Sequence, residues 1–357
     1  MKTAIFLGTR PEIIKLWSVI KELQRRKQDF FIVHTGQHYD ANMSDNFFVE
    51  LGLPQPKYNL GINGGTDYEQ ISRLVPKIAE VLKKENPDFV IIQGDTNTSV
   101  SVALTARKCG ITDIVHVEAG LRSFSDIPEE TNRVITDSLS KYLFCPTFQN
   151  VENVQNTVNH DVFGYHQQVY WTGNTLIDLL KHLEKNKKIK TRKENYILLT
   201  LHRQNNVDIR LNLKTILQQV NEVSKKHELP VKFVCHPRTE RRITEFGLKI
   251  PDNITIMQPQ GFIDFLTLEK NAQIILSDSG GCQEESNHFK VPCVVIRPKT
   301  ERQEALTENA ILADEIDNII TKTKDVLTRD RTKWTGTVFG NGHTAKKICE
   351  VLYEGKR

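Results

Sequence analysis

The sequence contains no Cys-x-x-Cys pair, although it holds six cysteines, Cys109, Cys145, Cys235, Cys282, Cys293 and Cys349. Most of them sit among apolar residues, which fits reduced core thiols in a cytosolic protein rather than disulfides or a zinc ribbon. No His, Cys and Asp cluster has metal-ligand spacing, so no metal site is expected. No apolar stretch approaches the length needed to span a bilayer, and the Met1-Lys2 start lacks a signal-peptide pattern. A cytoplasmic, soluble protein with no membrane partner is therefore expected. Excess charge is small: 48 basic and 44 acidic residues leave a net +4. Without a long basic run or an RNA-binding aromatic motif, nucleic acid is not an expected partner. The densest basic stretch, residues 185–193, reads as a solvated surface loop. A G-x-G-x-x-G fingerprint is missing, which argues against standard dinucleotide binding. A G-x-S-x-G elbow is missing too, which argues against a serine hydrolase.

What is present is a set of short apolar runs that each end in polar or charged residues. Residues 4–7 run into Gly8-Thr9-Arg10-Pro11-Glu12, 30–33 into His34-Thr35-Gly36-Gln37-His38, and 89–92 into Gln93-Gly94-Asp95-Thr96. Further runs end in Glu118-Ala119-Gly120, Thr172-Gly173-Asn174, His202-Arg203, Cys235-His236-Pro237-Arg238, Ser277-Asp278-Ser279-Gly280-Gly281 and Arg297. In parallel α/β sheets ligands bind beyond the carboxyl ends of the strands. Chemistry concentrated there suits an enzyme that holds a phosphorylated ligand.

Strand-like runs alternate with helix-like segments along the whole chain, the signature of βαβ units. Helices are expected over 12–26, 68–85, 97–109, 129–142, 150–159 and 175–184. The second half restarts after the basic loop with strand 196–201, helix 208–226, strand 231–235 and helix 239–247. Strand 254–257, helix 262–270, strand 274–277, helix 281–289 and strand 292–296 follow, and 344–353 closes the chain as a helix. With 357 residues, one core is too few. The expected fold class is α/β, with two Rossmann-like doubly wound domains facing a cleft. The expected division is residues 1–170 plus 345–357, and residues 171–344.

Each cluster also has an ordinary structural reading. The Gly8–Glu12 turn presents N–H groups and a helix end to an anion, with Arg10 adding a planar fork and Lys15 a point charge; it could equally be a plain strand–helix turn. Ser279, Gly280 and Gly281 repeat that form in the second half, where Glu285 could hold a ribose diol; a Ser cap and an acidic first turn are the alternative. Asp95 could cap a helix, Glu118 could pair with Arg122, and Glu129 could pair with Arg133. Three acids on one rim of one sheet nevertheless point to acid–base work. His202-Arg203 and His236-Pro237-Arg238, both at strand ends, point to phosphate binding or proton transfer. His34 and His38 read as surface groups.

The ordered motifs resemble the non-hydrolysing UDP-N-acetylglucosamine 2-epimerase family. They are Gly8–Glu12, Thr35–His38, Gly94-Asp95-Thr96, Val117–Arg122, Pro128-Glu129-Glu130-x-Asn132-Arg133, Thr172-Gly173-Asn174, Leu201-His202-Arg203, Ser277–Glu285 and Thr300-Glu301-Arg302. The resemblance runs from residue 1 to about Ile348. It implies a GT-B-like pair of Rossmann domains with UDP between them, a C-terminal helix returning to the first domain, and a homodimer. It implies Asp95, Glu118, Glu129 and His202 as catalytic acid–base residues. It implies Arg10, Ser279 and Glu285 as UDP-binding positions, and the full expected UDP and diphosphate set is Arg10, Lys15, His236, Arg238, Phe262, Ser279, Gly280, Gly281, Glu285 and Arg302. The implied reaction epimerises C2 of UDP-N-acetylglucosamine by anti elimination and re-addition of UDP, with neither NAD nor a metal as cofactor.

The sequence departs from the family pattern at Asn205, where H-R-x-E would place Glu, and at Gln303, where T-E-R-P-E would place Pro. Position 40 is Asp, where members regulated by a second substrate molecule often carry Gln. A related substrate, a UDP-2,3-diacetamido-2,3-dideoxyhexuronate, stays open, as does a hydrolysing relative that releases N-acetylmannosamine and UDP.

Overall fold

The computed structural model describes residues 1–37, 47–158, 166–192 and 194–355. His38, Asp40 and Lys193 lie outside the described residues. The chain divides into two compact units, Met1–Leu179 with Gly340–Arg357, and Leu180–Phe339.

The first unit holds β1 (Lys2–Leu7), α1 (Arg10–Arg25), β2 (Asp29–His34), β3 (Tyr58–Asn59), α2 (Asp67–Glu85), β4 (Phe89–Gln93), α3 (Asn97–Lys108), β5 (Ile114–Val117), α4 (Pro128–Leu139), β6 (Tyr142–Cys145), α5 (Phe148–Thr157) and β7 (Gln168–Trp171). Its sheet has the order β3-β2-β1-β4-β5-β6-β7, and every pair is parallel. Because β7 is an integral strand of this sheet, the unit extends past residue 170. The division falls inside α6 (Thr175–Lys185) rather than before it. The strands bear Ala4, Phe6, Val33, Val90 and Ile92, buried against α2 and α3 through Leu74, Ile78, Leu82, Val102 and Ala106. Near-continuous apolar strands are what a sheet covered on both faces requires.

The second unit holds β8 (Ile197–Thr200), α7 (Gln204–Val207), α8 (Arg210–His227), β9 (Val231–Val234), α9 (Pro237–Glu245), β10 (Ile254–Met257), α10 (Phe262–Asn271), β11 (Ile274–Ser277), α11 (Gly280–Phe289), β12 (Cys293–Ile296), β13 (Ala310–Ala313) and α12 (Ile319–Leu327). Its parallel sheet has the order β10-β9-β8-β11-β12-β13. Its core gathers Ile197, Leu199, Phe233, Leu276 and Val294 with Ile216, Val220 and Val326 from the helices. The C-terminal helix α13 (Thr344–Tyr353) belongs to the first unit, packing on α1 and fixed by Asp178, which accepts from the backbone N–H groups of Thr344 and Ala345 at 3.1 and 2.9 Å.

Several elements differ from expectation. The helix expected over 129–142 ends at Leu139, and Tyr142–Cys145 is the separate strand β6. The helix expected over 208–226 is α8, Arg210–His227, and the short helix α7 that precedes it was not foreseen. β3, β13 and α12 were not foreseen. His34 is buried, edge-on to Phe48 at 6.3 Å between ring centroids, so it is not a surface group. All six cysteines are free, and all but Cys109 are buried. The described part of the basic stretch is exposed apart from Ile189. Among the described residues no helix is long and apolar enough to cross a membrane.

Candidate active site

Both sheets have the doubly wound order in which the chain direction reverses beside the first strand, between β1 and β4 in one and between β8 and β11 in the other. Ligands bind at the carboxyl edge of such a switch point. The Gly8–Glu12 turn and Asp95 follow β1 and β4; His202 and Ser279 follow β8 and β11.

In the first unit the Gly8–Glu12 turn is not open to an anion as expected. Glu12 Oε2 accepts from Gly8 N, Thr9 N and Thr9 Oγ1 at 2.9, 2.8 and 2.9 Å, and its Oε1 accepts from Thr96 Oγ1 at 2.8 Å. This is a capping box, with Pro11 in the first turn. Burial pushes the Glu12 carboxyl up to about 7 against the pull of those four donors. Gly8 is required here: a Cβ would lie 2.0 Å from Thr35 Oγ1. Arg10 is exposed, its guanidinium 4.8 Å above the Phe47 ring.

Lys15, expected as a charge for the diphosphate, instead donates to Glu118 Oε1 in a buried ion pair. Gln93 Nε2 donates to the other oxygen of Glu118, and Asn174 Nδ2 lies 3.5 Å from the first. Glu118 has φ +68°, a left-handed conformation rare for a side chain with a Cβ. Strain of this kind concentrates at functional sites and is worth roughly 1–3 kcal/mol. Asp95 accepts at Oδ2 from Arg133 Nε and Nη2, at 2.9 and 2.6 Å, while Thr96 and not Asp95 caps α3. Arg133 also reaches Glu130, at 2.9 Å. Glu129 is exposed at the start of α4. Arg122 pairs with Asp137 at 2.7 Å rather than with Glu118. Thr96 thus takes the cap expected of Asp95, Glu118 is paired with Lys15 instead of Arg122, and Glu129 stands in the first turn of α4 where a helix-start acid belongs.

In the second unit Asp278 organises the turn. Its carboxylate accepts from the backbone of His202 and Arg203, from Asn206 Nδ2 at 3.0 Å, and faces His202 Nδ1 at 3.0 Å. Burial alone would raise this carboxyl, but His202, Arg203 and Asn206 hold it below the usual range. His202 keeps 41% of its side chain exposed, with the His236 ring 6.2 Å away between centroids. Burial, the neighbouring His202 and Arg238 together lower His236. Arg238 holds Asp208 through Nε and Nη2, which uses two of its five N–H donors.

The α11 N-terminus differs from that of α1. Ser279 stands at its cap position without a side-chain capping bond, and no acid occupies the first turn. That leaves helix-end N–H groups suited to a phosphate. Arg302 presses against Gly280, where a Cβ would sit 2.6 Å from its guanidinium. Arg302 is held by Glu284 at 2.6 Å and by Glu301. Glu285 is buried with its carboxylate folded back over Gly281, and Phe262 is buried at the start of α10.

Sequence reasoning quoted Glu12, Gln93, Arg133 and Asp278 within its motifs but gave none of them the contacts found here. Glu12 had a readable signal, since it stands three residues after Thr9 in the capping-box spacing.

The class defined by these features is a two-unit Rossmann-like α/β protein of the GT-B type. A family model described as UDP-N-acetylglucosamine 2-epimerase matches residues 21–353. The chain is 44% identical to the UDP-N-acetylglucosamine 2-epimerase of Methanococcus maripaludis, over 100% of this chain and 99% of that protein. It is 35% identical, over 99% of both, to the UDP-2,3-diacetamido-2,3-dideoxy-D-glucuronate 2-epimerase of Pseudomonas aeruginosa. The crystal structure of the Methanocaldococcus jannaschii UDP-GlcNAc 2-epimerase in complex with UDP-GlcNAc and UDP is similar with a TM-score of 0.87 and 43% identity, over 99% of this chain and 100% of that one. The chain belongs to the UDP-N-acetylglucosamine 2-epimerase family.

Proposed function

We propose that the protein interconverts UDP-N-acetylglucosamine and UDP-N-acetylmannosamine. The observation that carries this reading is the pair of acids Asp95 and Glu118 on adjacent strand ends of β4 and β5, in a chain of this family. The C2 proton of the sugar is not next to a carbonyl, so direct deprotonation is very unfavourable. When the C1–O bond breaks, UDP departs with the electron pair and leaves an oxocarbenium-like centre that acidifies C2–H. A base takes that proton, the C1=C2 bond of a 2-acetamidoglucal forms, and protonation from the opposite face with UDP re-adding to C1 gives the epimer. Asp95, Glu118, Glu129 and His202 are the acid–base set. The α11 N-terminus with Ser279, Gly280 and Gly281, together with Arg10 and Arg302, stabilises the departing diphosphate. His236, Arg238 and Phe262 add charge and packing around it, and Glu285 accepts from the ribose diol. Lys15 orients Glu118. The proposed assembly and location are a cytoplasmic homodimer.

Identity of 44% against 35% favours the N-acetylglucosamine substrate over the diacetamido-uronate. Proton NMR with UDP-N-acetylglucosamine in D₂O tests the reaction. Loss of the H-2 signal with growth of UDP-N-acetylmannosamine is the expected result. Free N-acetylmannosamine and UDP would instead assign hydrolysis, and turnover of the diacetamido-uronate alone would reassign the substrate.

A further inference from the structure

Glu269, in the last turn of α10, is completely buried, and neither of its carboxyl oxygens receives a hydrogen bond. It meets Cys282 and Glu285 on the adjacent helix α11: one ligating atom from each of the three lies within 4.8 Å of the others. Glu285 is 8% exposed, and Cys282 only 1%. An ionised carboxylate with no donor in a dry site is very costly. Two carboxylates packed together in such a site keep one proton between them. Burial, and then the charge of Glu285, push the Glu269 carboxyl well up against a smaller downward pull from the nearby Cys282 thiol; burial and both acids raise the Cys282 thiol in turn. The thiol therefore stays protonated and supplies no compensating charge. The proton resides on the more deeply buried Glu269, where it becomes a donor, and the one acceptor beside it that carries charge is Glu285.

We propose that Glu269 is a positioning residue: as a neutral carboxylic acid it donates to the carboxylate of Glu285 and fixes that group as a hydrogen-bond acceptor for the vicinal diol of the bound nucleotide. This rests on the reading of Glu285 as the diol acceptor. Side-chain direction supports the arrangement. The Glu285 carboxylate lies back along α11, with its oxygens 3.5 and 3.7 Å from where a Cβ on Gly281 would sit. Glu269 on α10 approaches it from the side, away from the helix end that the diphosphate would use. The proton acts here as a clamp, and the pair retains a single negative charge for the diol.

Calorimetry with UDP and with 2′,3′-dideoxy-UDP tests this on the purified enzyme and on the E269Q, E269M and E285A variants. E269Q, whose amide still donates to Glu285, is expected to bind UDP close to wild type. E269M is expected to lose about tenfold in UDP affinity, the size of one hydrogen bond to a charged group, with KM for the UDP-sugar rising and kcat little changed. Neither variant should alter binding of dideoxy-UDP. Equal loss for both nucleotides in E269M, or no loss at all while E285A is weakened, overturns the role of Glu269 alone. Unchanged UDP binding by E285A removes the reading of Glu285 and this inference with it. Should E269M not fold, infrared spectroscopy of the wild type decides: a protonated-carboxyl stretch that disappears in E269Q is expected, and its absence overturns the proposal. Weakening of UDP binding by EDTA in the wild type would put a metal ion in place of the proton, and would overturn it too.

Discussion

Lys15 and Glu118 are 103 residues apart in sequence and form a buried ion pair, with side chains 9% and 5% exposed. The lysine comes from the second turn of α1 and the glutamate from the left-handed turn after β5. Taking one partner away leaves the other charge in a site from which water is excluded. Such half-broken buried pairs cost roughly 3–5 kcal/mol, whereas replacing both partners is far milder. Lys15→Met is therefore expected to lower unfolding stability by about 3 kcal/mol. The double variant with Glu118→Gln should recover most of that loss while remaining inactive. Chemical denaturation of the four proteins in the cycle measures this, and simple additivity would show that the pair is not coupled.

Asp95→Asn and Glu118→Gln are each expected to reduce kcat by at least about a hundredfold, the usual scale for a lost general acid or base. UDP affinity should remain largely intact in both, because the proposed nucleotide contacts lie on other residues. Near-normal turnover in both variants would remove the acid–base assignment. Asp95→Asn also leaves Arg133 with a neutral partner, so a melting curve should accompany the kinetics.

Legibility in the sequence followed the range of the interaction. The apolar runs and their polar ends marked most of the strands because they are local patterns; the capping spacing of Thr9 and Glu12 is equally local but went unread, and α1 starts at Arg10 rather than at residue 12. The strand Tyr142–Cys145 went unread, with Tyr142 taken as the end of the preceding helix, because a short apolar run of four residues carries no period of its own. β3 is a two-residue strand, and no pattern can announce it. The acids were legible by residue type, but their partners were not. Nothing local tells that Glu118 pairs with Lys15 instead of Arg122, or that Arg133 reaches back 38 residues to Asp95. The buried acid Glu269 reads in sequence as one more charge on a helix, and only the packing of α10 on α11 makes it chemical.

Glu12 links the α1 cap to pH. Its carboxyl titrates near 7 in the folded chain against 4.5 as its ordinary value. A folded-state value above the unfolded one means that the neutral form stabilises the fold. That contribution is complete below about 4.5 and is lost as pH rises through about 7. The shift corresponds to about 3 kcal/mol. Glu12→Gln keeps an oxygen for Gly8 and Thr9 and turns its amide toward Thr96, and it does not titrate. Relative to wild type, this variant should gain up to about 3 kcal/mol of stability between pH 5 and pH 8. A difference that stays flat across that range in urea titrations would show that Glu12 titrates normally.

His116 connects the two acid-bearing turns from beneath. Its Nε2 lies 2.8 Å from the carbonyl of Gly94, just before Asp95, and a carbonyl can only accept, so that nitrogen carries a hydrogen. Its Nδ1 meets Asp137 Oδ1 at 2.7 Å, and the other oxygen of Asp137 accepts from Gly120 N at 3.2 Å, two residues past Glu118. Burial would raise the Asp137 carboxyl, but His116 and Arg122 hold it below the ordinary range. The three groups thus link the Asp95 and Glu118 turns through buried hydrogen bonds. His116→Phe leaves the Gly94 carbonyl without its donor and removes one partner of Asp137, at a cost of about 1–3 kcal/mol in stability. It should also reduce kcat by about tenfold or more, since misplacement of catalytic groups by an ångström is that costly. His116→Gln places an amide N–H where Nε2 stood, so it should restore part of kcat. Equal activity of the Phe and Gln variants, at matched folded fractions by circular dichroism, would mean that the histidine fills space only and that the turns hold their own spacing.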